Sequence, residues 1–137
     1  MDEIDYRIME ILRENARTKN STIASHVNLT EGAVRNRIKR LVRDGVIRKF
    51  TIQTQPDQAE AIVLIKTRTR ASKEILRRIR RHADRLFETA GEFDVAAHLT
   101  AKDIRTINET VDKLRSIDGV ISTVTLVKIA DATSTEP

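Results

Sequence analysis

The sequence predicts an α+β protein in two parts, a helical first part and a second part in which strands and helices alternate. Three observations support this prediction. Apolar residues recur every three or four positions up to residue 44, which is the spacing of one helix face. From residue 59, runs rich in Val, Ile and Thr alternate with helical periods. Between them, the polar, proline-containing stretch TQPDQAE breaks both patterns.

Domain boundaries follow from this break. We predict a first domain at residues 1–53, a linker at 54–58, a second domain at 59–130 and a disordered tail at 131–137. The sequence contains no cysteine, which excludes disulfides, thiolate zinc sites and cysteine nucleophiles. It also lacks the run of roughly 18 apolar residues that a membrane span needs, and its acidic start is unlike a signal peptide. We therefore expect a soluble, cytoplasmic protein.

The first predicted helix extends from Asp2 to about Asn15. Ile4, Ile8 and Leu12 recur along one face of it. Acidic residues lie in its first turn, where negative charge suits the positive end of the helix dipole.

The second and third helices are separated by a tight turn. Asn20 or Ser21 is the predicted N-cap of the second helix, and Ile23 and Val27 form its apolar pair. Thr30 is placed to cap the third helix after the turn.

The third helix extends to about Asp44. Val34, Ile38 and Leu41 form its apolar stripe, and Gly45 is placed to end it. The segment VIRKFTIQ that follows is predicted to be a β-strand.

The second part predicts strands at AIVLIKTRT, FDVAAHLT and VISTVTLVKIA, helices at SKEILRRIRRHADRL and DIRTINETVDKLRSI, and a further strand at residues 84–89. The order βαββαβ predicts a ferredoxin-like fold, in which a four-stranded antiparallel sheet carries both helices on one face. Apolar residues occupy both sides of the last strand, so we expect another subunit to cover the helix-free face.

The third helix is strongly basic on the side opposite its apolar stripe. Arg35 to Lys49 contains seven basic residues and one acidic residue. Arg and Asn bond bidentately to guanine and adenine, and Lys and Arg neutralise phosphates. Three short helices with a basic third helix, followed by a strand, predict a winged helix-turn-helix that binds DNA. The predicted DNA-binding residues are Thr30, Gly32, Arg35, Asn36, Lys39, Arg40, Arg43, Arg48 and Lys49.

A basic helix can also be an ordinary solvated surface. The preceding helix, the turn, the cap Thr30 and the terminating Gly45 favour DNA binding instead, because they supply the geometry that a recognition helix requires.

The chain resembles the Lrp/AsnC (feast-or-famine) family of transcription regulators over about 130 positions. The first part resembles the family's DNA-binding domain from DEIDYRIMEILRENAR to TEGAVRNRIKRLVRDGVIRKF, and the second resembles its ligand-sensing domain in GEFD at Gly91 to Asp94 and GVISTVT at Gly119 to Thr125. The resemblance implies a homodimer built by pairing the second-domain sheets, assembling further into tetramers or octamers. It also implies an amino acid effector bound between dimers.

By position in the family, Asp94 would hold the α-amino group of the effector, Thr123 and Thr125 would contribute hydroxyls, and amides around Gly91 would bind its carboxylate. The implied effector-binding residues are Gly91, Glu92, Phe93, Asp94, Ser122, Thr123 and Thr125. Glu92 and Asp94 would suit a cationic amino acid such as lysine or arginine. Alternatively, Gly91 and Asp94 only form a turn and the threonines are only strand formers.

The leading hypothesis is a sequence-specific DNA-binding transcription regulator of amino-acid metabolism with an amino acid effector. Two alternatives are an architectural protein that coats DNA without an effector, and an amino-acid-binding regulatory subunit of an enzyme. We predict no catalytic activity, metal or cofactor, because the sequence contains no nucleophile motif, phosphate loop or cofactor fingerprint and its three histidines are scattered. A second basic cluster at Arg77 to Arg81, with Lys66, Arg68 and Arg70 predicted on one side of a strand, is either a solvated surface or a contact with wrapped DNA.

Overall fold

The computed structural model of the chain describes residues 1–54 and 57–133. The chain divides into two compact units, Met1–Thr54 and Gln55–Pro137. Residues 55 and 56 of the predicted linker and residues 134–137 of the predicted tail lie outside the described residues. At the start of that tail, the Thr133 amide donates to Asp131 Oδ1 at 2.9 Å and closes a local turn.

The first unit contains helices α1 (Glu3–Glu14), α2 (Asn20–Val27) and α3 (Glu31–Arg43). α1 starts with a reciprocal cap, in which the Asp2 carboxylate accepts from the Asp5 amide and the Asp5 carboxylate accepts from the Asp2 amide. The apolar faces of the three helices meet in one core, whose buried members are Ile8, Leu12, Ile23, Ala24, Val27 and Val34. The predicted apolar stripes are therefore confirmed.

The N-cap of α2 lies one position before the first of its two predicted positions. Asn20 is already helical, and Lys19 occupies the N-cap position without a side-chain capping bond, so the prediction of Asn20 or Ser21 as the cap is wrong. Burial of Ile23 and Ala24 fixes where this helix lies, and it forms although its first turn has no side-chain cap. α2 ends at Asn28, which adopts a left-handed conformation with φ 56°.

α3 starts and stops where the sequence predicts. Thr30 Oγ1 accepts from the Ala33 amide at 3.2 Å. At the other end, Gly45 has φ +73°, and the amides of Gly45 and Val46 donate to the carbonyls of Val42 and Leu41 at 3.0 and 2.9 Å. This is a Schellman motif, which favours glycine because an L side chain is strained at positive φ.

The strand predicted at VIRKFTIQ is not formed. Residues 48–54 are irregular, and the four strands of the described sheet all lie in the second unit. A β-strand requires a second strand to complete its hydrogen bonds, and no described strand pairs with residues 48–54. Phe50 and Ile52, which the pattern treats as strand residues, are 52% and 77% exposed.

The second unit is a four-stranded antiparallel sheet with two helices. Its elements are β1 (Ala59–Thr67), α4 (Lys73–Arg80), β2 (Arg85–Glu88), β3 (Val95–Ala101), α5 (Ile104–Arg115) and β4 (Val120–Val127). The strands lie in the order β2-β3-β1-β4, and every neighbouring pair is antiparallel. This confirms the predicted ferredoxin-like fold.

The core of the second unit lies between the sheet and the two helices. Its fully buried members include Val63 and Ile65 of β1, Ile79 of α4, and Ile107 and Leu114 of α5. The other face of the sheet lacks helices and exposes Ile62, Phe87, Val124 and Leu126, each between 42% and 52%. We call these four residues the open-face apolar patch.

β1 ends at Thr67, and its pairing with β4 shifts register between Lys66 and Thr67. Lys66, Arg68 and Arg70 therefore do not share one side of a strand, and that prediction is wrong. The irregularity ends the regular pairing of β1 with β4 before Arg70. The alternation of residue types along a strand does not reveal such a shift in register.

Candidate nucleic-acid interface and ligand region

The nine predicted DNA-binding residues are all exposed. α3 buries Val34 completely and leaves Leu41 2% exposed on its inner side, so its polar side faces away from the core. Within the part of the chain that the structure describes, the side chains of Asn36, Lys39, Arg48 and Lys49 have no hydrogen-bond or ion-pair partner. These four groups are available to bind another molecule.

Three arginines of the predicted set already have acidic partners. Arg35 Nη2 lies 2.5 Å from Glu31 Oε1, and Arg43 Nε lies 3.2 Å from Asp44 Oδ1. Both of these pairs are solvent-exposed, so each is weak and readily exchanged. Arg40 differs, because its partner is the buried carboxylate of Asp5.

Asp5 is fully buried between α1 and α3. It accepts hydrogen bonds from Arg37 Nη1 and Arg40 Nη2, both at 3.0 Å, and from the amide of Asp2. Arg37 also donates to both oxygens of Asp2, at 2.8 and 2.7 Å. We call Asp2, Asp5, Arg37 and Arg40 the α1–α3 ion network. It fixes the rotation of α3 about its axis by holding two positions one turn apart.

The electrostatics of this network are consistent with its geometry. The hydrogen bond from Arg37 lowers the pKa of Asp2 to about 2. Burial raises the pKa of Asp5, but the Asp2 amide and Arg37 more than offset burial, so the net shift of that pKa is downward. The two carboxylates raise the pKa of Arg37 in turn. Both aspartates are therefore charged near neutral pH.

Sequence reasoning missed Arg37 and assigned Arg40 only to DNA. Arg37 lies beside the polar side of α3, so its position on the helix does not distinguish an arginine that pairs with α1 from one that faces solvent. The available signal was the two aspartates at the start of α1, the N-cap Asp2 and Asp5, which we attributed to the helix dipole alone.

The predicted effector loop is a tight turn. Gly91 has φ +125°, and the Thr89 side chain and amide bond to the carbonyls of Phe93 and Asp94 at 2.7 and 3.0 Å. Gly91 and Glu92 are exposed, whereas Phe93 and Asp94 are half-buried.

Asp94 links the loop to the end of β1. Its Oδ2 accepts from the amide of Thr67 at 2.8 Å and from the hydroxyl of Thr67 at 3.1 Å. The side chain of Asp94 therefore caps the end of β1 and not the turn at Gly91, to which Asp94 contributes its backbone carbonyl. Its Oδ1 has no protein hydrogen-bond partner among the described residues, so one oxygen remains for a ligand.

The β4 residues of the predicted set are divided between two faces. Thr123 and Thr125 lie opposite Ile65 and Val63, on the helix side, whereas Ser122 lies opposite Lys66 on the open face. Thr123 Oγ1 also accepts from Arg115 Nε at 2.9 Å. β1 lies between β4, which carries the threonines, and β3, which begins directly after Asp94, so these two strands are roughly 10 Å apart. A single chain does not gather all seven residues into one pocket.

Glu60 forms a further polar cluster on the open face. Its two oxygens bond to His98 Nε2 at 3.1 Å and to Lys128 Nζ at 2.8 Å, and the Lys128 bond is the main cause of its lowered pKa. No group of three or more His, Asp or Glu suited to a metal ion occurs in the described ranges. None of the described helices has the length and apolar character of a membrane span.

Two family models match the chain. Residues 1–48 match a winged helix-turn-helix DNA-binding model, and residues 60–135 match the Lrp/AsnC ligand binding domain. The HTH-type transcriptional regulator LysM of Sulfurisphaera tokodaii is 39% identical over 127 residues, which cover 90% of this chain and 91% of the relative. LysM of Saccharolobus solfataricus is 36% identical over 127 residues, covering 90% and 89%.

Solved structures show the same fold. AsnC of E. coli has a TM-score of 0.80 at 19% identity, covering 100% of this chain and 97% of AsnC. A transcriptional regulator of Neisseria meningitidis, solved as a complex with L-Met, has a TM-score of 0.80 at 22% identity, covering 98% and 94%.

Proposed function

Because the chain belongs to the Lrp/AsnC family of transcription regulators, we propose that it recognises a specific duplex sequence through α3 and that an amino acid modulates this recognition. The exposed polar side of α3 carries the proposal. Asn36 and Lys39 are open to solvent there, while the opposite side of the helix packs in the core. We place the regulator in the cytoplasm.

The residues of α3 take different roles in this proposal. Asn36 bonds to an adenine edge in the major groove, since its amide can both donate and accept. Lys39, Arg48 and Lys49 bind phosphates. The two lysines carry flexible ammonium groups and Arg48 lies beyond the end of the helix, so all three supply charge without contacting base edges. Arg40 positions α3 through Asp5 and contacts DNA only with its exposed part.

The test is to select bound fragments from random-sequence duplex DNA and to footprint the selected DNA. We expect a short protected site with regular phasing, because α3 reads bases at one register. Asn36→Ala should cost about 1–3 kcal/mol on that site and relax preference at one base pair. Lys39→Ala is the matched variant and should weaken all sequences alike. Uniform protection of every fragment would instead favour an architectural coating protein.

The proposed effector is a free amino acid bound in the second unit. The match to a ligand-binding domain supports a small molecule, and the L-Met complex of the Neisseria meningitidis regulator supports this chemical class. Glu92 and Asp94 give the loop two carboxylates, so we propose a cationic amino acid, lysine or arginine. Asp94 Oδ1 would bind the α-amino group, and Gly91 amides would bind the carboxylate.

We place this site at an interface between subunits. Within one chain the loop precedes β3, whereas the hydroxyls lie on β4. Ser122 also points to the opposite face of the sheet from Thr123 and Thr125. A second subunit could complete a pocket that one chain leaves open.

Thermal denaturation with each free amino acid tests the effector proposal, since a ligand that binds only the native protein raises its melting temperature. Lysine or arginine should raise it, and Glu92→Gln should weaken that rise. Glu88→Gln is the control, because it removes a nearby exposed carboxylate outside the loop. No shift with any amino acid would contradict the proposal.

The open-face apolar patch supports a homodimer, and from the family resemblance we propose that dimers assemble further into tetramers or octamers. Ile62 and Phe87 of this patch also line a cavity of about 250 Å³, together with Arg85, Ala96, Ala97 and His98. An exposed apolar surface of this kind is costly in water, and pairing two sheets face to face would remove it.

A further inference from the structure

A second cationic surface lies on α4, outside the region assigned to DNA reading. Ile79 is fully buried and Ile75 partly buried on the inner side of this helix. The outer side presents only charged groups. We define the α4 basic surface as its exposed cations, which are Lys73, Arg77, Arg78, Arg80 and Arg81.

Among the described residues, one carboxylate, that of Glu74, forms ion pairs with this surface. Glu74 bonds to Arg77 at 3.0 Å and to Arg78 at 3.1 Å, through different oxygens. For Lys73, Arg80 and Arg81, the described residues provide no acidic partner. Three cations therefore remain uncompensated by the protein.

The charges of α4 have opposing effects on its stability, although Arg77, Arg78 and Arg80 in its last turn suit the helix dipole. Two pairs at helical spacing attract, namely Glu74 with Arg77 and with Arg78. Four like-charged pairs at the same spacings repel, and these are Lys73–Arg77, Arg77–Arg80, Arg77–Arg81 and Arg78–Arg81. Lys73 is also the first residue of the helix, where a cation opposes the dipole.

The rest of the second unit does not compensate this surface either. Leu86 to Pro137 contains nine acidic and five basic residues, but α5 carries two acidic and three basic residues, so it does not form an acidic helix face. The complementary partner is a separate polyanion.

We propose that the α4 basic surface binds the phosphate backbone of duplex DNA beyond the stretch read by α3. This inference rests on the proposed DNA-binding function. The contact is independent of sequence, because α4 exposes only cations and one engaged carboxylate and offers no amide to read a base edge. We take duplex DNA as this polyanion, because it is the one that the proposed function already requires.

The experiment compares the full-length protein with the variant Lys73→Gln, Arg80→Gln and Arg81→Gln. Gln has nearly the helix propensity of Lys and Arg, and no ion pair in the described structure is broken. The control variant is Lys102→Gln, Arg105→Gln and Lys113→Gln, which removes the same charge from exposed positions around α5. The probes are random-sequence duplexes of two and of six helical turns.

The salt dependence of binding is measured for each protein. Each lost phosphate contact lowers the slope of log K against log salt by roughly 0.9, so three lower it by up to about 2.7 per subunit. We expect this loss for the α4 variant on the long duplex only, with a melting temperature no lower than that of the wild type. The control variant should keep the wild-type slope on both duplexes.

Other outcomes overturn the inference. Equal slopes for all three proteins on the long duplex exclude the contact, and equal reductions in both variants assign the effect to net charge. An unchanged slope with a lower assembly mass in light scattering assigns α4 to an interface between copies. Failure of the wild type to bind either duplex would instead contradict the proposed function itself.

Discussion

At the scale of single residues, the carboxylate of Asp5 links the fold of the first unit to the orientation of α3, the proposed DNA-binding helix. Burying a charge is unfavourable unless hydrogen bonds and an opposite charge replace the lost water. Arg37, Arg40 and the Asp2 amide provide these bonds. As a result, α3 turns Asn36 and Lys39 outward in a defined register.

Removing the charge of Asp5 should destabilise the protein. Asp5→Asn keeps the shape but leaves Arg37 and Arg40 without their full partner, and we expect a loss of about 1–3 kcal/mol in the free energy of unfolding. The urea midpoint measures it, with an unchanged slope m showing that only stability changed. Glu31→Gln is the control, because it breaks an exposed pair and should cost less than about 1 kcal/mol.

Acid should remove the same stabilisation. The native pKa of Asp2 is about 2, below its ordinary 3.8, and that of Asp5 is also lowered. The native state therefore binds fewer protons than the unfolded state in this range, so stability falls as pH drops from about 4 towards 2. Urea midpoints across this range should fall less steeply for Asp2→Asn than for the wild type. Parallel curves would contradict the assignment.

At the scale of elements, α3 has one glycine in its first turn and one just after its end, and they have different roles. Gly45 has positive φ and ends the helix, while Gly32 lies within its first turn and nothing approaches the position of an added Cβ within 4 Å. Gly32 is thus unfavourable for helix stability and is not required by packing inside the protein. Its exposed position on the proposed DNA-binding side offers a reason for glycine there.

Gly32→Ala should have opposite effects on stability and binding. Alanine favours the helix, so the free energy of unfolding should rise by about 0.5–1 kcal/mol. Affinity for duplex DNA should fall, because a methyl group is added where the helix approaches DNA. Urea unfolding and DNA titration on the same sample measure both. Gly45→Ala should destabilise without a comparable specific effect on DNA, and unchanged affinity in Gly32→Ala would remove Gly32 from the interface.

At the scale of the whole molecule, the sheet of the second unit has one covered and one open face. Both helices cover one side, and the open-face apolar patch leaves large side chains in water on the other. The Arg85 guanidinium lies 4.9 Å from the Phe87 ring centre, so the edge of this face combines charge with an aromatic surface. Subunit pairing through this face would bury the patch.

Leu126→Glu should disrupt that pairing. Leu126 is 52% exposed in the single chain, so the change leaves the core intact but would bury a charge at the proposed interface. We expect a lower mass by light scattering and an unchanged circular dichroism spectrum. Ile104→Glu is the matched control, since Ile104 is 53% exposed at the start of α5, on the opposite side of the sheet. Equal masses for all three proteins would contradict pairing through this face.

The sequence by itself determined the three helices, the stop at Gly45, the cap at Thr30 and the βαββαβ order. These features depend on periodicity and turn chemistry within a few residues, which remain visible in one dimension. It also separated the polar side of α3 from its buried side, because that division follows from 100° per residue.

Only the tertiary structure decided the rest. The Asp5 bonds to Arg37 and Arg40 join residues 32 and 35 positions apart, and Glu60 meets His98 across 38 positions. Strand pairing decided three further features, which are the register shift at Lys66, the faces of Ser122 and Thr123, and the missing strand after Gly45. Such contacts are fixed by how elements pack against each other, and no local spacing in the chain encodes the partner that packing will supply.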